Sequence, residues 1–216
     1  MGTDMERAGT DIAADQIARP APVPLRELSR TVRRSELGPR IGEAVLETAD
    51  GERLVRRFLH TPEVVAIVAV DGDDLLLIRE YRAAVGAPVV QLPMGKVPAG
   101  HAPLDQAKAE LAEEVGVEAA RWTGLARLYS CPGWMDQVLH LFGASQLTAL
   151  SRRADSGDPD DIEEQGIEVV RVRLDRFPAE VASGRIQDAR TIAGVYTAAA
   201  AGFLDLGRPA DGEAKH

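Results

Sequence analysis

Short apolar segments separated by turn residues run through the middle of the chain. Val64–Val70 is apolar at every position over the length of one strand, which is typical of a strand buried on both faces. After a turn at 71–73, Asp74–Arg79 predicts a second strand that returns beside it. Arg53–Leu59 alternates in part and follows a turn signal at 49–51, so we expect a hairpin to lead into this strand.

Other segments have a helical period. Pro103–Val115 repeats apolar residues at helical spacing and is followed by Gly116, a residue type that commonly ends helices in the left-handed conformation. Two more helices are predicted at Pro178–Ser183 and Asp188–Phe203. Because strands and helices are interleaved, we expect an α/β or α+β sandwich. Further strands are predicted at Trp122–Tyr129, Gln137–Phe142 and Glu168–Leu174.

The two ends of the chain lack such patterns. Residues 1–22 and 207–216 show no sustained apolar period, so we expect a disordered N-terminal arm and a flexible C-terminal tail around one domain at 23–206. Between Arg152 and Gly166 the chain carries four Asp and two Glu and almost nothing apolar. This segment is typical of a solvated surface loop.

Composition narrows the class of protein. The 216 residues have a formal net charge of −9, which disfavours a nucleic-acid partner. No apolar run approaches the roughly 20 residues that span a bilayer, and residues 1–22 lack the apolar region of a secretory signal. The single cysteine, Cys131, excludes an intramolecular disulfide and is expected to be a small buried residue rather than a nucleophile. We therefore expect a cytoplasmic protein with no membrane partner.

Three carboxylates crowd one side of the helix predicted at 103–115. At about 100° per residue, Glu113 and Glu114 flank Glu110. Like charges at this spacing destabilise a helix, and a hard divalent cation reverses that effect. A solvated helix face would carry the same residues, so the helix alone leaves metal binding open. The carboxylates lie beside an apolar stripe that must face the core, made of Leu104, Ala107, Leu111 and Val115.

The residues around this helix carry a longer pattern. From Gly95 to Val117, over 23 residues, the chain places Glu110, Leu111, Glu113, Glu114 and Gly116 in the register of the Nudix hydrolase signature, which it resembles. It is also similar to the ADP-ribose pyrophosphatase branch of that family. The QYR…VG segment of that branch is similar to Arg79-Glu80-Tyr81-Arg82 with Val85-Gly86. Its LPAGK segment resembles residues 92–96, and its SPGFSDE…HLF segment resembles residues 130–142. Its GEI.DAKT segment resembles residues 184–191.

The resemblance implies a Nudix-type α/β/α sandwich with a mixed β-sheet, usually a homodimer. It implies Mg²⁺ (or Mn²⁺) held by Glu110 and Glu114, with Glu113 alongside and the Met94 carbonyl as a backbone ligand. The resemblance also implies that Glu113 and Glu114 on this helix are catalytic residues. The implied substrate is a nucleoside diphosphate linked to another group, as in ADP-ribose or a nucleotide sugar. The implied reaction is attack of water on a phosphorus of the pyrophosphate.

Four residues are predicted on the substrate side. Arg79 and Arg82 are the expected contacts to the substrate, with exposed charges at a strand end as the alternative. Gln91 and Gln137 stand where the branch usually has Glu, beside Leu-Pro and beside Asp136 respectively. Gln and Glu have nearly the same shape, so these exchanges keep the packing and remove negative charge.

Further departures fall on positions that carry chemistry. His101 stands where the signature has Glu, and Ala109 where it has the Arg that orients the helix carboxylates. Gln165 occupies the position of the loop Glu that is the usual candidate for the general base, and an amide cannot accept that proton. Glu163 and Glu164 are the predicted replacements, with loop solubility as the alternative. His101 stays open between a Mn²⁺ or Zn²⁺ ligand, a proton donor and a solvent-facing histidine.

Two functions follow from this sequence. The first is a metal-dependent diphosphohydrolase with altered specificity or reduced activity, favoured because the helix carboxylates are kept. The second is a non-catalytic Nudix domain that binds a nucleotide-like ligand or a protein partner, suggested by the Glu-to-Gln exchanges. A third hypothesis is an unusual reaction in the same pocket, for which His101 and Cys131 are the candidates.

Overall fold

A computed structural model describes residues 25–35, 38–151 and 166–207. Contacts divide the chain into two compact units, 1–59 and 60–216. The expected N-terminal arm and nearly all of the acidic loop and C-terminal tail lie outside the described residues. Those expectations, and the domain boundaries 23–206, stay predictions.

The first unit is a three-stranded sheet in the order β1-β2-β3. Strand β1 spans Leu25–Ser35, β2 spans Gly38–Thr48 and β3 spans Arg53–His60. The predicted turn and hairpin are confirmed, because Gly51 takes a left-handed φ of 86° between β2 and β3. Strand β1 and the bounds of β2 are not predicted by the sequence, since charged residues interrupt their apolar positions.

A seven-stranded mixed sheet forms the second unit. The order is β10-β5-β4-β9-β8, with β6 beside β5 and β7 beside β4. Strands β4 and β9 run parallel, whereas β5 pairs antiparallel with β4, β6 and β10, β7 with β4, and β8 with β9. The strands are β4 Val64–Asp71, β5 Asp74–Arg82, β6 Ala87–Gln91, β7 Met94–Lys96, β8 Val117–Tyr129, β9 Val138–Ala149 and β10 Glu168–Arg173.

The sequence anticipates the longer strands of this sheet and omits the shortest ones. Strands β4, β5 and β10 match their predicted segments within a few residues. Strand β8 begins before the predicted Trp122, and β9 continues well past Phe142. Strands β6 and β7 have only five and three residues and contain Pro88 and Gly95, so no periodic pattern marks them.

In the part of the chain that the structure describes, three α-helices pack on the sheet, as predicted. Helix α1 spans Pro103–Glu110 and continues as a π-helical turn over Leu111–Val115, after which Gly116 takes a left-handed φ of 77°. Helix α2 spans Phe177–Ala182, and α3 spans Ala189–Ala200. No helix in the described part of the chain is long and apolar enough to cross a membrane.

Alternation along β4 divides the core into two layers. Val64, Ala66 and Val68 face a cluster that includes Phe177 of α2 and Val195 of α3. The intervening residues of β4 face a second cluster, beneath α1. The sheet is thus buried on both faces, which confirms the α/β/α sandwich. Of the predicted stripe on α1, Ala107, Leu111 and Val115 are buried and Leu104 is only half-buried.

Candidate active site

The segment Leu92–Gly95 is the centre of the candidate site, because side chains from two helices bind its backbone. The Thr191 hydroxyl of α3 accepts a hydrogen bond from the Leu92 N–H at 2.9 Å. Glu114, in the π-helical turn after α1, accepts one from the Met94 N–H, also at 2.9 Å. These contacts tie the Leu92 backbone to α3 and the first residue of β7 to the π-helical turn after α1.

Two of the three helix carboxylates are buried. Glu110 is 7% exposed and Glu114 is 4% exposed, whereas Glu113 is half-buried. Glu110 lies directly against Gly95, so that a methyl group added to this glycine would overlap the carboxylate. Glycine is therefore required here for close approach, and Glu110 and Glu114 are fixed against consecutive residues of one backbone segment.

A π-helical turn lies within this arrangement. Residues Leu111–Val115 follow the regular turns of α1 and contain Glu114. Such turns are uncommon and frequently lie at functional sites. The regular spacing of 100° per residue does not describe this part of the helix, yet Glu110 and Glu114 both remain on its buried side.

Gln106 is the orienting partner that sequence reasoning missed. Its side-chain amide donates a hydrogen bond to Glu110 Oε1 at 2.8 Å, one helical turn away. The sequence leads to the expectation that Ala109, in place of the family's Arg, leaves the helix carboxylates loosely held. For Glu110, the amide of Gln106 supplies an orienting contact in place of that Arg. The spacing i, i+4 between Gln106 and Glu110 is the signal that could have revealed it.

The donor chemistry of these residues fits a hard divalent cation. Buried carboxylate oxygens are the ligands that Mg²⁺ and Mn²⁺ accept in proteins, and Glu110 and Glu114 supply them beside the Met94 backbone. Within residues 25–35, 38–151 and 166–207, no three His, Cys, Asp or Glu side chains are grouped closely enough to hold an ion. The predicted ligand set therefore stays a prediction.

A second buried polar cluster joins β5 to the end of β6. Gln91 is fully buried, and its amide donates to Glu80 Oε2 at 2.9 Å. Arg82, which is 31% exposed, donates through Nε to Gln91 Oε1 at 3.1 Å, and its Nη2 lies 2.9 Å from Glu80 Oε2. Glu80 is only 4% exposed and is not anticipated from the sequence. Both ends of the Gln91 amide are thus occupied within the protein.

The remaining predicted site residues lie in different surroundings. Arg79 is half-exposed and pairs with Glu168 at 3.0 Å. His101 is exposed in a turn that its backbone N–H closes onto the Pro98 carbonyl. Gln137 is half-buried and directly precedes β9. Glu163, Glu164 and Gln165 lie outside the described residues, so their predicted roles are untested.

The structure corrects the expectation for Cys131. The sequence predicts a small buried residue, whereas Cys131 is exposed in the turn that leads to Met135. The reason is local: its carbonyl accepts the N–H groups of Trp134 and Met135, so that the chain reverses at the surface there.

We expect Thr191→Val to destabilise the protein by about 1–3 kcal/mol, because the buried Leu92 N–H would lose its partner while the shape is kept. Urea unfolding measures this change. Thr148→Val, on an exposed position of β9, is the control and should shift the free energy of unfolding by no more than about 0.5 kcal/mol. Equal effects of the two substitutions would contradict the role of Thr191.

Comparison with known proteins identifies the family of this chain. A family model described as the NUDIX domain matches residues 59–193, more than half of the chain. The chain belongs to the NUDIX family. Its resemblance to the ADP-ribose pyrophosphatase branch is supported by the similarities described next.

Relatives of this NUDIX chain include hydrolases of ADP compounds and one activator. An ADP-ribose pyrophosphatase of Bacillus subtilis (strain 168) is 29% identical, over 68% of this chain and 77% of that protein. A methanol dehydrogenase activator of Bacillus methanolicus is 26% identical, over 69% of this chain and 79% of that protein. A crystal structure of an ADP compounds hydrolase superposes with a TM-score of 0.66 at 25% identity and covers 82% of this chain and 92% of that one.

The loop before β9 of the NUDIX domain is anchored by Asp136. His60 Nδ1 lies 2.6 Å from Asp136 Oδ2, and the Thr61 N–H donates to Oδ1 at 3.0 Å. Burial by itself would raise the pKa of the Asp136 carboxyl. The hydrogen bonds from His60 and Thr61 and the charge of His60 outweigh it and hold the pKa below its ordinary value.

This lowered pKa predicts an acid-sensitive contribution to stability. A carboxyl with a folded pKa below its unfolded value, near 3.9, stabilises the fold fully above that value. The contribution is lost as the pH falls through the unfolded and then the folded pKa. We expect Asp136→Asn to flatten the acid limb of the free energy of unfolding below about pH 5, measured by urea unfolding across pH. An unchanged acid limb would contradict this assignment.

Proposed function

We propose that this NUDIX domain hydrolyses the pyrophosphate bond of a nucleoside diphosphate linked to another group, with Mg²⁺ or Mn²⁺ as cofactor. The observation that carries the proposal is the pair of buried carboxylates, Glu110 and Glu114, fixed against the Met94–Gly95 backbone. Both carboxylates are buried beside the same backbone segment, and carboxylate oxygens are the ligands that a hard divalent cation takes. The similarity to the Bacillus subtilis ADP-ribose pyrophosphatase supports the substrate class.

Each residue of the proposed site has a defined task. Glu110 and Glu114 would hold the cation, with the half-buried Glu113 and the Met94 carbonyl alongside. When bound, the cation supplies charge neutralisation and lowers the pKa of the attacking water. Arg82 and Arg79 are the proposed contacts to the phosphates, since guanidinium groups bind such oxygens in pairs. Glu163 and Glu164 are the proposed sources of the general base.

The exchange at position 91 does not argue against catalysis. The sequence suggested that Gln91 removes negative charge from the site. In the structure the Gln91 amide contacts the buried carboxylate of Glu80, so that a negative charge is present beside position 91. One motive for the non-catalytic hypothesis is thereby weakened, and the hydrolase is the function that the geometry favours.

The test is turnover by the full chain. Purified protein is incubated with ADP-ribose and with ADP-glucose, each with Mg²⁺ and with Mn²⁺, and the products are separated. We expect AMP and a sugar phosphate in equal amounts, loss of the reaction with EDTA, and recovery on adding the metal back. A folded protein that releases neither product with either metal would overturn the proposal.

A second candidate function is a non-catalytic or regulatory domain. The similarity to the methanol dehydrogenase activator and the departures at His101 and Ala109 favour it. It predicts that calorimetry detects binding of ADP-ribose while no product forms. The expected homodimer and cytoplasmic location stay predictions, and light scattering of the purified chain tests the former.

A further inference from the structure

The cluster of Glu80, Gln91 and Arg82 is a closed triangle of hydrogen bonds. Glu80 Oε2 accepts from Gln91 and lies 2.9 Å from Arg82 Nη2, while Gln91 Oε1 accepts from Arg82 Nε. In the antiparallel pairing of β5 with β6, Glu80 lies opposite Val89, which makes Gln91 its diagonal neighbour on the same face. The two strands therefore present one carboxylate, one amide and one guanidinium together.

The triangle requires one carboxylate and one amide. Two carboxylates 2.9 Å apart in a buried place would repel each other, and one of them would take up a proton. Two amides would leave the Arg82 guanidinium without a charged acceptor. The present combination binds the Nε and Nη2 edge of Arg82 and leaves Nη1 outside both contacts.

We propose that Glu80 is a positioning residue which, together with Gln91, sets the Arg82 guanidinium to bind the diphosphate of the substrate. This inference rests on the proposed function. Glu80 and Gln91 are both buried and act through Arg82, which is one-third exposed and is the member of the triangle that can reach a ligand. The family segment that this chain resembles has Gln before Tyr-Arg and Glu before Leu-Pro. In this chain Glu80 precedes Tyr-Arg and Gln91 precedes Leu-Pro. One carboxylate and one amide are therefore kept, but the carboxylate lies on β5 instead of β6.

The exchange can be reversed in one variant. In Glu80→Gln combined with Gln91→Glu, the new amide at 80 donates to the new carboxylate at 91. Arg82 Nε then meets a carboxylate oxygen. In wild type the single atom Glu80 Oε2 contacts both Gln91 and Arg82 Nη2, so an amide at position 80 that donates to residue 91 loses the contact to Nη2. Two of the three hydrogen bonds and the one negative charge are kept. Each single substitution, in contrast, leaves the triangle with two amides or with two carboxylates.

The experiment measures KM and kcat with ADP-ribose for wild type, the two single variants and the double variant. We expect Glu80→Gln to raise KM roughly 10-fold with little change in kcat, because a charge-assisted contact that orients Arg82 is lost. Gln91→Glu should raise KM at least as much, and the double variant should return KM to within about 3-fold of wild type. A merely structural role would lower the active fraction, and with it the apparent kcat, while KM stayed unchanged.

Two controls separate the possible failures. Asp71→Asn removes the negative charge of the exposed Arg171–Asp71 pair, whose atoms are 2.8 Å apart, and should leave both constants unchanged. Calorimetry with ADP as the probe gives Kd for each variant whether or not the protein turns over. If wild type binds ADP without turnover, the hydrolase proposal fails and the pattern of Kd across the variants decides the role of Glu80. Unchanged KM and Kd in Glu80→Gln, no recovery in the double variant, or no binding of ADP or ADP-ribose by wild type would each overturn the inference.

Discussion

Gly95→Ala is expected to lower the rate of pyrophosphate hydrolysis by roughly 100-fold or more, since displacing groups that merely orient metal ligands already costs about 10- to 100-fold. The added methyl group would occupy the place of the Glu110 carboxylate. The glutamate side chain is flexible and the Gly95 backbone is paired with β4, so the carboxylate moves rather than the strand. Stability should fall by only about 1–3 kcal/mol, which urea unfolding measures beside the rate.

Gly124→Ala is the matched control for this variant. Gly124 also lies in a strand, but no atom lies within 4 Å of where its methyl group would be. Its hydrolysis rate and free energy of unfolding should stay close to those of wild type. A Gly95→Ala protein that is folded and fully active would contradict the role of Glu110. An equal loss of activity in both variants would mean that a methyl group on a strand glycine disturbs the protein wherever it is placed.

The core of the fold follows from local patterns. The continuous apolar run at β4 predicts burial on both faces, and the structure places alternate residues of this strand in two separate core clusters. Helix α1 and its end at Gly116 are predicted from periodicity and one glycine. These features depend on residues close together in the chain, so the sequence alone suffices.

The contacts that hold the candidate site depend on tertiary structure. Glu80 and Gln91 are 11 residues apart and meet only because β5 and β6 pair. Thr191 and Leu92 are 99 residues apart. A single sequence contains no periodic signal for such pairs, and charges counted along the chain cannot show which of them meet. For this reason the exchange at Gln91 gives no sign, along the chain, of the Glu80 carboxylate that lies beside it.

Glu114→Gln is expected to abolish most of the hydrolysis while leaving the protein folded. The amide oxygen of glutamine can still accept the Met94 N–H, which Glu114 Oε2 now accepts at 2.9 Å. The negative charge, which the proposed cation requires, is lost, and neutral ligands hold Mg²⁺ more weakly. We expect a loss of roughly 100-fold or more in kcat/KM, measured with ADP-ribose and a titration of Mg²⁺.

Glu114→Ala separates the two tasks of this side chain. It removes the charge and also leaves the buried Met94 N–H without its acceptor, so stability should fall by about 1–3 kcal/mol in addition to the loss of rate. Glu118→Gln, on an exposed position of β8, removes the same charge four residues later and should change neither quantity. If Glu114→Gln kept wild-type activity, the helix carboxylate would serve only to hold the Met94 backbone. The non-catalytic function would then account better for its burial.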